Sequence, residues 1–295
     1  MILRQSGKIA DGLYALGEPE LPAFLLSGGK PVLFDSGMSF VGPRYLSDIQ
    51  KTLGNPGKLA YLFLTHSHFD HCGAAAFLKS RIGGLKVGAS RMTAETFRKP
   101  NAIRLIQALN APFLEGVKDS GDLVFTGLEV DILLEDGQEF QPEGGGPSFK
   151  TIFTPGHTRD SVSYYIPSLK ALIPGEAVGV YDLNYIISPE FLSSYKEYMA
   201  SLEKLAALDV DIIMMSHLFV LTGEDAKGYI RKTMNRTKEF RQEILDGLDE
   251  FNGDRGAVKQ KIFKKDYVDT QAILQPETAY LINLEAKIRA IAEGK

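Results

Sequence analysis

Short apolar runs separated by polar turns occupy the first two thirds of the chain. The runs at residues 21–26, 31–34 and 59–64 have the length and bulk of buried strands. Ser27-Gly28-Gly29-Lys30 joins the first two and predicts a hairpin turn. Further strands are predicted at residues 85–89, 130–134, 149–153, 162–166, 171–173 and 210–216.

Helical spacing of apolar residues appears between these strands. Gly42-Pro43-Arg44 opens the first such segment, and Gly54 ends it. Helices are predicted over residues 42–53, 73–82, 90–111 with an interruption near Pro100, and 189–208. Two successive sets of strands, each accompanied by helices, predict an α/β protein with two mixed layers and helices outside.

The last part of the chain has a different pattern. Residues 223–295 are predicted to be helical almost throughout, with breaks at residues 252–254 and before Pro276. Their apolar stripes need to be buried against something. We therefore predict a domain over residues 1–222 and a helical extension over 223–295, which serves as a lid or as a dimer interface.

One stretch concentrates the candidate chemistry. His66, His68, Asp70 and His71 lie within six residues, directly after the predicted strand 59–64, and the whole chain has five histidines. Imidazole nitrogens and carboxylate oxygens are ligands of zinc and iron. Burying this set without a metal would leave several polar groups in need of partners. The stretch therefore predicts a metal site.

The two remaining histidines also follow apolar runs. His157 comes shortly after Thr151-Ile152-Phe153, and His217 ends the predicted strand 210–216. With these two positions, the His66-x-His68-x-Asp70-His71 pattern resembles the metallo-β-lactamase superfamily over roughly residues 10–220. The resemblance implies a four-layer αβ/βα sandwich, here followed by the C-terminal helical extension.

The resemblance also implies a set of metal ligands. His66, His68 and His157 would hold one divalent ion, while Asp70, His71 and His217 would hold a second. Glu176 stands where the family usually has a bridging Asp, so it is one methylene longer than the pattern. Asp35 matches a carboxylate that orients a ligand imidazole from behind. Zinc is the first choice of metal, with iron or manganese as alternatives.

The implied activity is hydrolysis of a small acyl thioester, ester or lactone, with Asp70, His71 and Glu176 as catalytic residues. The Thr65-His66-x-His68-x-Asp70-His71-Cys72-Gly73 string and the helical tail resemble the thioesterase-like, quinolone-signal-response branch. A mononuclear iron enzyme similar to persulfide dioxygenases, using the first ligand group only, is one alternative. A non-catalytic, ligand-responsive binding protein is the other.

The composition of the chain indicates which partners and which cellular compartment to expect. The net charge is −4 and no basic stripe stands out, which argues against nucleic acid. The single Cys72 fits a reducing compartment, and we interpret it as a small packing residue because a catalytic thiol would need a base. No signal peptide or bilayer-spanning run is evident. We expect a cytoplasmic protein with a small acyl substrate, no nucleic-acid or membrane partner, and a homodimer as one role for the extension.

Overall fold

A computed structural model describes residues 1–218 and 220–294. The chain divides into two compact units. The first, called the sheet unit here, comprises Met1–Phe153, Asp160–Gly175 and Val210–Thr222. The second, called the helical unit, comprises Thr154–Arg159, Glu176–Asp209 and Gly223–Lys295.

The strands are short, from two to six residues each. In chain order they are β1 (Ile2–Leu3), β2 (Gly7–Ala10), β3 (Leu13–Glu18), β4 (Leu21–Leu26), β5 (Val32–Phe34), β6 (Tyr61–Phe63), β7 (Lys86–Ser90), β8 (Ile132–Leu134), β9 (Glu139–Phe140), β10 (Phe149–Phe153), β11 (Val162–Ile166), β12 (Ala171–Ile173), β13 (Val180–Tyr181), β14 (Ile187–Ser188), β15 (Ile212–Met214) and β16 (Val220–Thr222).

The helices occur in two stretches of the described chain, one before residue 115 and one after residue 194. They are α1 (Gly42–Leu53), α2 (Phe69–Cys72), α3 (Ala75–Arg81), α4 (Arg91–Thr96), α5 (Pro100–Leu114), α6 (Tyr195–Ala206), α7 (Glu224–Lys227), α8 (Tyr229–Glu250), α9 (Arg255–Phe263) and α10 (Glu277–Ala292). Within residues 1–218 and 220–294, none of the helices combines the length and apolar character that crossing a membrane requires.

The sheet unit contains two seven-stranded mixed sheets. One has the order β1-β16-β15-β12-β11-β10-β9, and the other runs from β2 to β8 in sequence order. In the second sheet, β5, β6, β7 and β8 are parallel, whereas β2 to β5 form an antiparallel meander. The carboxyl ends of β5 and β6 therefore lie at one edge, and the loops that follow them begin together.

An aromatic core joins the two sheets face to face. Phe34 and Phe63 from one sheet contact Phe149 and Tyr164 from the other, with ring centroids 5.0 to 6.0 Å apart. A separate apolar cluster covers the opposite face of the β2–β8 sheet with side chains of α1, α3 and α5. The predicted αβ/βα sandwich of two mixed sheets with C-terminal helices is confirmed.

The helical unit has its own buried side chains. Helices α6, α8 and α10 contact one another, and α9 contacts α8 and α10. They bury the apolar stripes that the sequence predicted for the extension, with Phe240, Ile244 and Ile288 at most 4% exposed. The predicted breaks near residue 252 and before Pro276 are confirmed.

One predicted helix boundary was wrong. The helix predicted over 189–208 begins only at Tyr195, because the Ser194 side chain accepts a hydrogen bond from the backbone N–H of Glu197 and caps it there. The helix predicted over 73–82 is α3, and a separate short helix, α2, precedes it. The short strands β1, β2, β9, β13, β14 and β16 were not predicted at all, since runs of two to four residues carry little periodicity.

Candidate metal centre

The metal-ligand stretch begins where β6 ends. Its chain turns through residues 65–68 and enters α2 with His68 as the extended N-cap residue. His66 and His71 are buried, while His68 and Asp70 are half-buried. The ring centroid of His66 lies 4.6 Å from that of His68 and 4.1 Å from that of His71. The turn thus brings three imidazoles into contact.

Asp35 orients two of these rings. It follows β5 with φ of 58°, a left-handed conformation that Asp tolerates better than most residues. Its carboxylate accepts hydrogen bonds from the Thr65 backbone N–H at 2.8 Å, from the Thr65 hydroxyl at 2.8 Å and from Nδ1 of His71 at 2.9 Å. This last contact is the one expected of a carboxylate that orients a histidine, while the role of His71 as a metal ligand stays a prediction.

Thr65 extends the same network to His66. Its Oγ1 lies 3.0 Å from Nδ1 of His66. Since the hydroxyl proton of Thr65 is donated to Asp35, its oxygen accepts from the His66 ring, and Nδ1 carries the hydrogen. Both His66 and His71 therefore have Nδ1 engaged, which makes Nε2 the nitrogen that can bind a metal.

Asp160 holds the other side of the turn and was not singled out from the sequence. Its Oδ2 accepts hydrogen bonds from the Ser67 backbone N–H at 3.0 Å and from the Thr93 hydroxyl at 2.8 Å. The residue is 7% exposed. The one sequence feature that pointed to Asp160 was its position three residues after His157, and that spacing does not by itself indicate a function.

His217 completes the ligand set of the sheet unit. It follows β15, and its Nδ1 donates to the backbone carbonyl of Glu20 at 2.7 Å. A carbonyl only accepts, so Nε2 again carries the lone pair of the neutral ring. That nitrogen lies 3.7 Å from Oδ2 of Asp70. Asp70, His71 and His217 form one group that could hold a metal ion.

His157 and Glu176 lie together in the helical unit. His157 is 1% exposed; its Nδ1 donates to the backbone carbonyl of Glu190 at 2.7 Å, and its Nε2 lies 2.6 Å from Oε2 of Glu176. Gly156, which precedes His157, has φ of 131°, and a Cβ there would lie 2.3 Å from the Tyr198 backbone. Burial opposes protonation of His157, but Glu176 and, to a smaller extent, Glu190 together outweigh burial and raise the pKa of His157.

A buried ion pair anchors Glu190, whose backbone carbonyl accepts the hydrogen bond from His157. Nζ of Lys287, on α10, lies 2.8 Å from Oε1 of Glu190, and the Ser188 hydroxyl donates to the same oxygen at 2.8 Å. Lys287 is 3% exposed and Glu190 is 7% exposed. The helical extension is thereby linked to the loop whose carbonyl orients His157. No sequence pattern indicated this link.

All seven predicted ligands belong to two groups with metal-binding donor chemistry. Of these groups, Asp70, His71 and His217 lie in the sheet unit, with their ligand atoms within 4.8 Å of one another. The members of the other group divide between the units, with His66 and His68 in the sheet unit and His157 and Glu176 in the helical unit. Imidazole nitrogens and carboxylate oxygens suit zinc, iron and manganese. The two His-rich clusters are consistent with a dinuclear site, while the role of each residue as a ligand stays a prediction.

Cys72 is fully buried in the apolar cluster beneath α2. Burial raises the pKa of its thiol well above the ordinary value, and nearby carboxylates add to this effect. A thiol that resists ionisation is a poor nucleophile. This environment supports the packing role expected for Cys72.

Comparison with known families matches residues 22–217 to the Metallo-beta-lactamase superfamily, about two thirds of the chain. The matched segment includes all seven predicted ligands. It extends over parts of both units and stops before α7.

Several known proteins are similar in sequence. The lactamase-like protein nscB of Neosartorya fischeri is 25% identical over 78% of this chain and 58% of its own length. The beta-lactamase-like protein 2 homolog of Caenorhabditis elegans is 26% identical over 72% of this chain and 61% of its own. A hydroxyacylglutathione hydrolase of Brucella anthropi is 29% identical over 52% and 45%. The chain thus spans about three fifths or less of the length of these relatives.

Solved structures share the fold. The metallo-beta-lactamase family protein TTHA1429 from Thermus thermophilus aligns with a TM-score of 0.68 at 19% identity, covering 97% of this chain and 95% of that one. The superfamily protein ST1585 from Sulfolobus tokodaii aligns with a TM-score of 0.60 at 20% identity, covering 96% and 98%. At these identities the similarity concerns architecture alone.

Proposed function

Because this chain belongs to the metallo-beta-lactamase superfamily, we propose that it is a dinuclear metal-dependent hydrolase of a small thioester, ester or lactone. The observation that carries the proposal is the engagement of Nδ1 in the imidazoles of His66, His71, His157 and His217. Such engagement sets the tautomer and aims Nε2 at a ligand position.

The proposed ligands follow the two groups. His66, His68 and His157 hold one ion, Asp70, His71 and His217 hold the other, and Glu176 contributes a carboxylate to both. Zinc is the first choice, with iron or manganese as alternatives. The chemistry that two such ions supply when bound is a hydroxide nucleophile near neutral pH and a Lewis acid for a carbonyl oxygen.

The protein's own groups would orient the ligands and handle protons. In this proposal the Asp70 carboxylate, which is half-buried beside Nε2 of His217, accepts a proton from water and returns it to the leaving group. Asp35 and Thr65 hold His71 and His66 in one tautomer throughout. The pKa of His157 is raised, so a proton competes with a metal ion for its Nε2. Metal binding at this nitrogen therefore weakens as the pH falls.

The names of two relatives indicate hydrolysis but do not agree on a single substrate. One is called a hydroxyacylglutathione hydrolase and another, YflN of Bacillus subtilis, a probable metallo-hydrolase. These names support hydrolysis of an acyl compound. The resemblance to the thioesterase-like branch is our reason for placing thioesters first among the substrates.

The test begins with metal content by mass spectrometry on protein purified without chelator, followed by a panel of thioesters and lactones. Two equivalents of metal with turnover are expected. His68→Ala and His157→Ala should each lower metal content and hydrolysis together. Full occupancy in either variant would contradict the ligand assignment.

Other outcomes identify the alternatives. One equivalent of iron with oxygen consumption would instead indicate the dioxygenase-like enzyme, which needs the first donor group only. Metal without any turnover, together with ligand binding, would indicate a binding protein.

The role of residues 223–295 is a further part of the proposal. They act either as a lid over the acyl site or as a homodimer interface, in a cytoplasmic protein without nucleic-acid or membrane partners. Ile282 on α10 is 64% exposed and offers a test that spares the buried residues. Ile282→Glu should change the oligomeric state in size-exclusion chromatography if α10 forms the interface. An unchanged size together with an altered Michaelis constant would favour the lid.

A further inference from the structure

Helix α6 begins directly against the loop that carries His157, and both belong to the helical unit. The backbone N–H of Ser193 donates to the carbonyls of Gly156, at 3.0 Å, and of His157, at 3.1 Å. The backbone N–H of Ser194, the N-cap residue, donates to the Gly156 carbonyl at 3.2 Å. The start of the helix therefore holds this loop through main-chain contacts, which a side-chain substitution does not remove.

Ser201 adds a side-chain contact to the same loop. It follows Ser194 by seven residues, so the two lie on one face of α6. Ser201 is 1% exposed, and its hydroxyl donates to the Pro155 carbonyl at 2.7 Å. Leu202 and Leu205, which are also on the helix, are fully buried and apolar. A hydroxyl in such surroundings costs free energy unless it is hydrogen-bonded, so the contact with Pro155 makes Ser201 compatible with this position.

Tyr198 lies one turn before Ser201 on the same face of α6. Its side chain is fully buried, and its hydroxyl accepts a hydrogen bond from the backbone N–H of Glu190 at 3.3 Å. The carbonyl of Glu190 in turn accepts from Nδ1 of His157 at 2.7 Å. Burial raises the pKa of Tyr198 well above its ordinary value, so the hydroxyl stays neutral. Tyr198 thus holds the residue that provides the acceptor for the imidazole.

We propose that Ser201 and Tyr198 are positioning residues for His157. Ser201 fixes the loop that carries the imidazole, and Tyr198 fixes the carbonyl that receives its Nδ1–H, so one face of α6 controls both partners of this hydrogen bond. Because the ring is rigid and planar, the orientation of Nδ1 also sets that of Nε2. The inference rests on the proposed function only in taking Nε2 of His157 as a metal ligand.

Proton exchange at the His157 ring tests the positioning role in the metal-free, full-length chain. Because the pKa of His157 is raised, both ring nitrogens carry a hydrogen at about pH 6, and nuclear magnetic resonance can follow exchange of the Nδ1–H with water. Ser201→Ala and Tyr198→Phe each remove one oxygen atom. Each should speed this exchange about five- to tenfold, as expected when the support of one hydrogen bond is lost. An unchanged rate in either variant would overturn the role of that residue.

Two matched substitutions separate positioning from a general loss of stability. Thr237→Val removes a fully buried hydroxyl from α8 in the same unit, and that hydroxyl donates to a backbone carbonyl at 2.7 Å, the distance found for Ser201. Tyr45→Phe removes the hydroxyl of a fully buried tyrosine in the sheet unit, which donates to a backbone carbonyl at 2.6 Å. Both should leave exchange at His157 unchanged. A rate raised as much in either control as in the α6 variants would overturn the proposal.

Metal binding gives the second readout and separates this inference from the proposed function. In cobalt titrations, both α6 variants should bind metal about tenfold more weakly at the group that contains His157, with Asp70, His71 and His217 unaffected. Faster ring exchange with unchanged cobalt affinity would support the positioning role and contradict His157 as a ligand. Unchanged ring exchange in both variants, together with weaker cobalt binding, would contradict the positioning role and leave the metal site standing.

Discussion

The two units orient their histidines in different ways. In the sheet unit, the Asp35 side chain accepts from His71 directly and from His66 through Thr65. In the helical unit, the acceptor for His157 is the backbone carbonyl of Glu190, and an ion pair to Lys287, 97 residues later in the chain, anchors that residue. One carboxylate serves two rings in the first case, whereas a loop and a distant helix serve one ring in the second.

This difference predicts which imidazoles lose their orientation when one residue is substituted. A side-chain acceptor can be removed by one substitution, and two imidazoles lose their orientation together. A backbone carbonyl cannot be removed, so only its supports can be changed and the loss is partial. Substitutions in the sheet unit should therefore affect both donor groups, while those in the helical unit should affect only the group that contains His157.

The largest effect is expected from Asp35→Asn. Asn tolerates the positive φ at this position, so the backbone is preserved. The substitution replaces one carboxylate oxygen, which accepts hydrogen bonds, with an amide NH2 group, which donates them. Metal affinity should fall by about ten- to hundredfold at both groups. Metal titration by mass spectrometry measures this, with Asp11→Asn, an exposed partner of Lys8, as the control. If only one group lost metal affinity, the expectation that Asp35 supports both groups would be wrong.

Glu176→Gln should have the next largest effect. An amide is a poorer ligand than a carboxylate, so one metal equivalent should be lost preferentially. Glu176→Asp, which restores the family's usual residue, should retain both metals. Metal stoichiometry after dialysis against a weak chelator distinguishes the two variants. If Glu176→Gln keeps two metals and normal turnover, Glu176 is not a ligand.

Lys287→Met should have a smaller and more local effect. It leaves the Glu190 carboxylate buried without its cation, which in comparable pairs costs about 3–5 kcal/mol of stability. The group with His157 should bind metal about tenfold more weakly, and Asp70, His71 and His217 should be unaffected.

Cobalt titration, followed by visible absorption, separates the two groups of ligands in the Lys287→Met variant. Lys287→Arg should rescue binding because it restores the cation. Lys259→Met is the control for losing a more exposed ion pair to α10. Equal weakening of both groups would show that the effect is general instability.

The smallest effect is expected from pH. His157 has a folded-state pKa above its ordinary value of 6.5, so in metal-free protein its protonated form stabilises the fold. This contribution is fully present below about pH 6.5 and is lost as pH rises through the raised pKa. Thermal unfolding of chelator-treated protein between about pH 6 and 9 should show the decline. Glu176→Gln should flatten it; an identical slope in that variant would mean another group is responsible.

The local parts of the fold and site were predictable from sequence. The strand that precedes the metal stretch was predicted because six consecutive apolar residues at 59–64 have no other stable location, and β6 occupies Tyr61–Phe63 within them. Asp35 was expected only from the family resemblance, and the structure shows it after the strand beside β6, where parallel neighbours bring their following loops together.

Only the tertiary structure revealed what supports those residues. Strand β1 is two residues long and exists through its pairing with β16, where Ile2 lies opposite Leu221. Asp160 was missed because its partners, the Ser67 backbone and Thr93, are far away in sequence. The Glu190 carbonyl has no sequence signal at all, since every residue carries the same group. The sequence by itself therefore determined the candidate ligands and the strands that present them, while long-range packing decided which acceptors orient them.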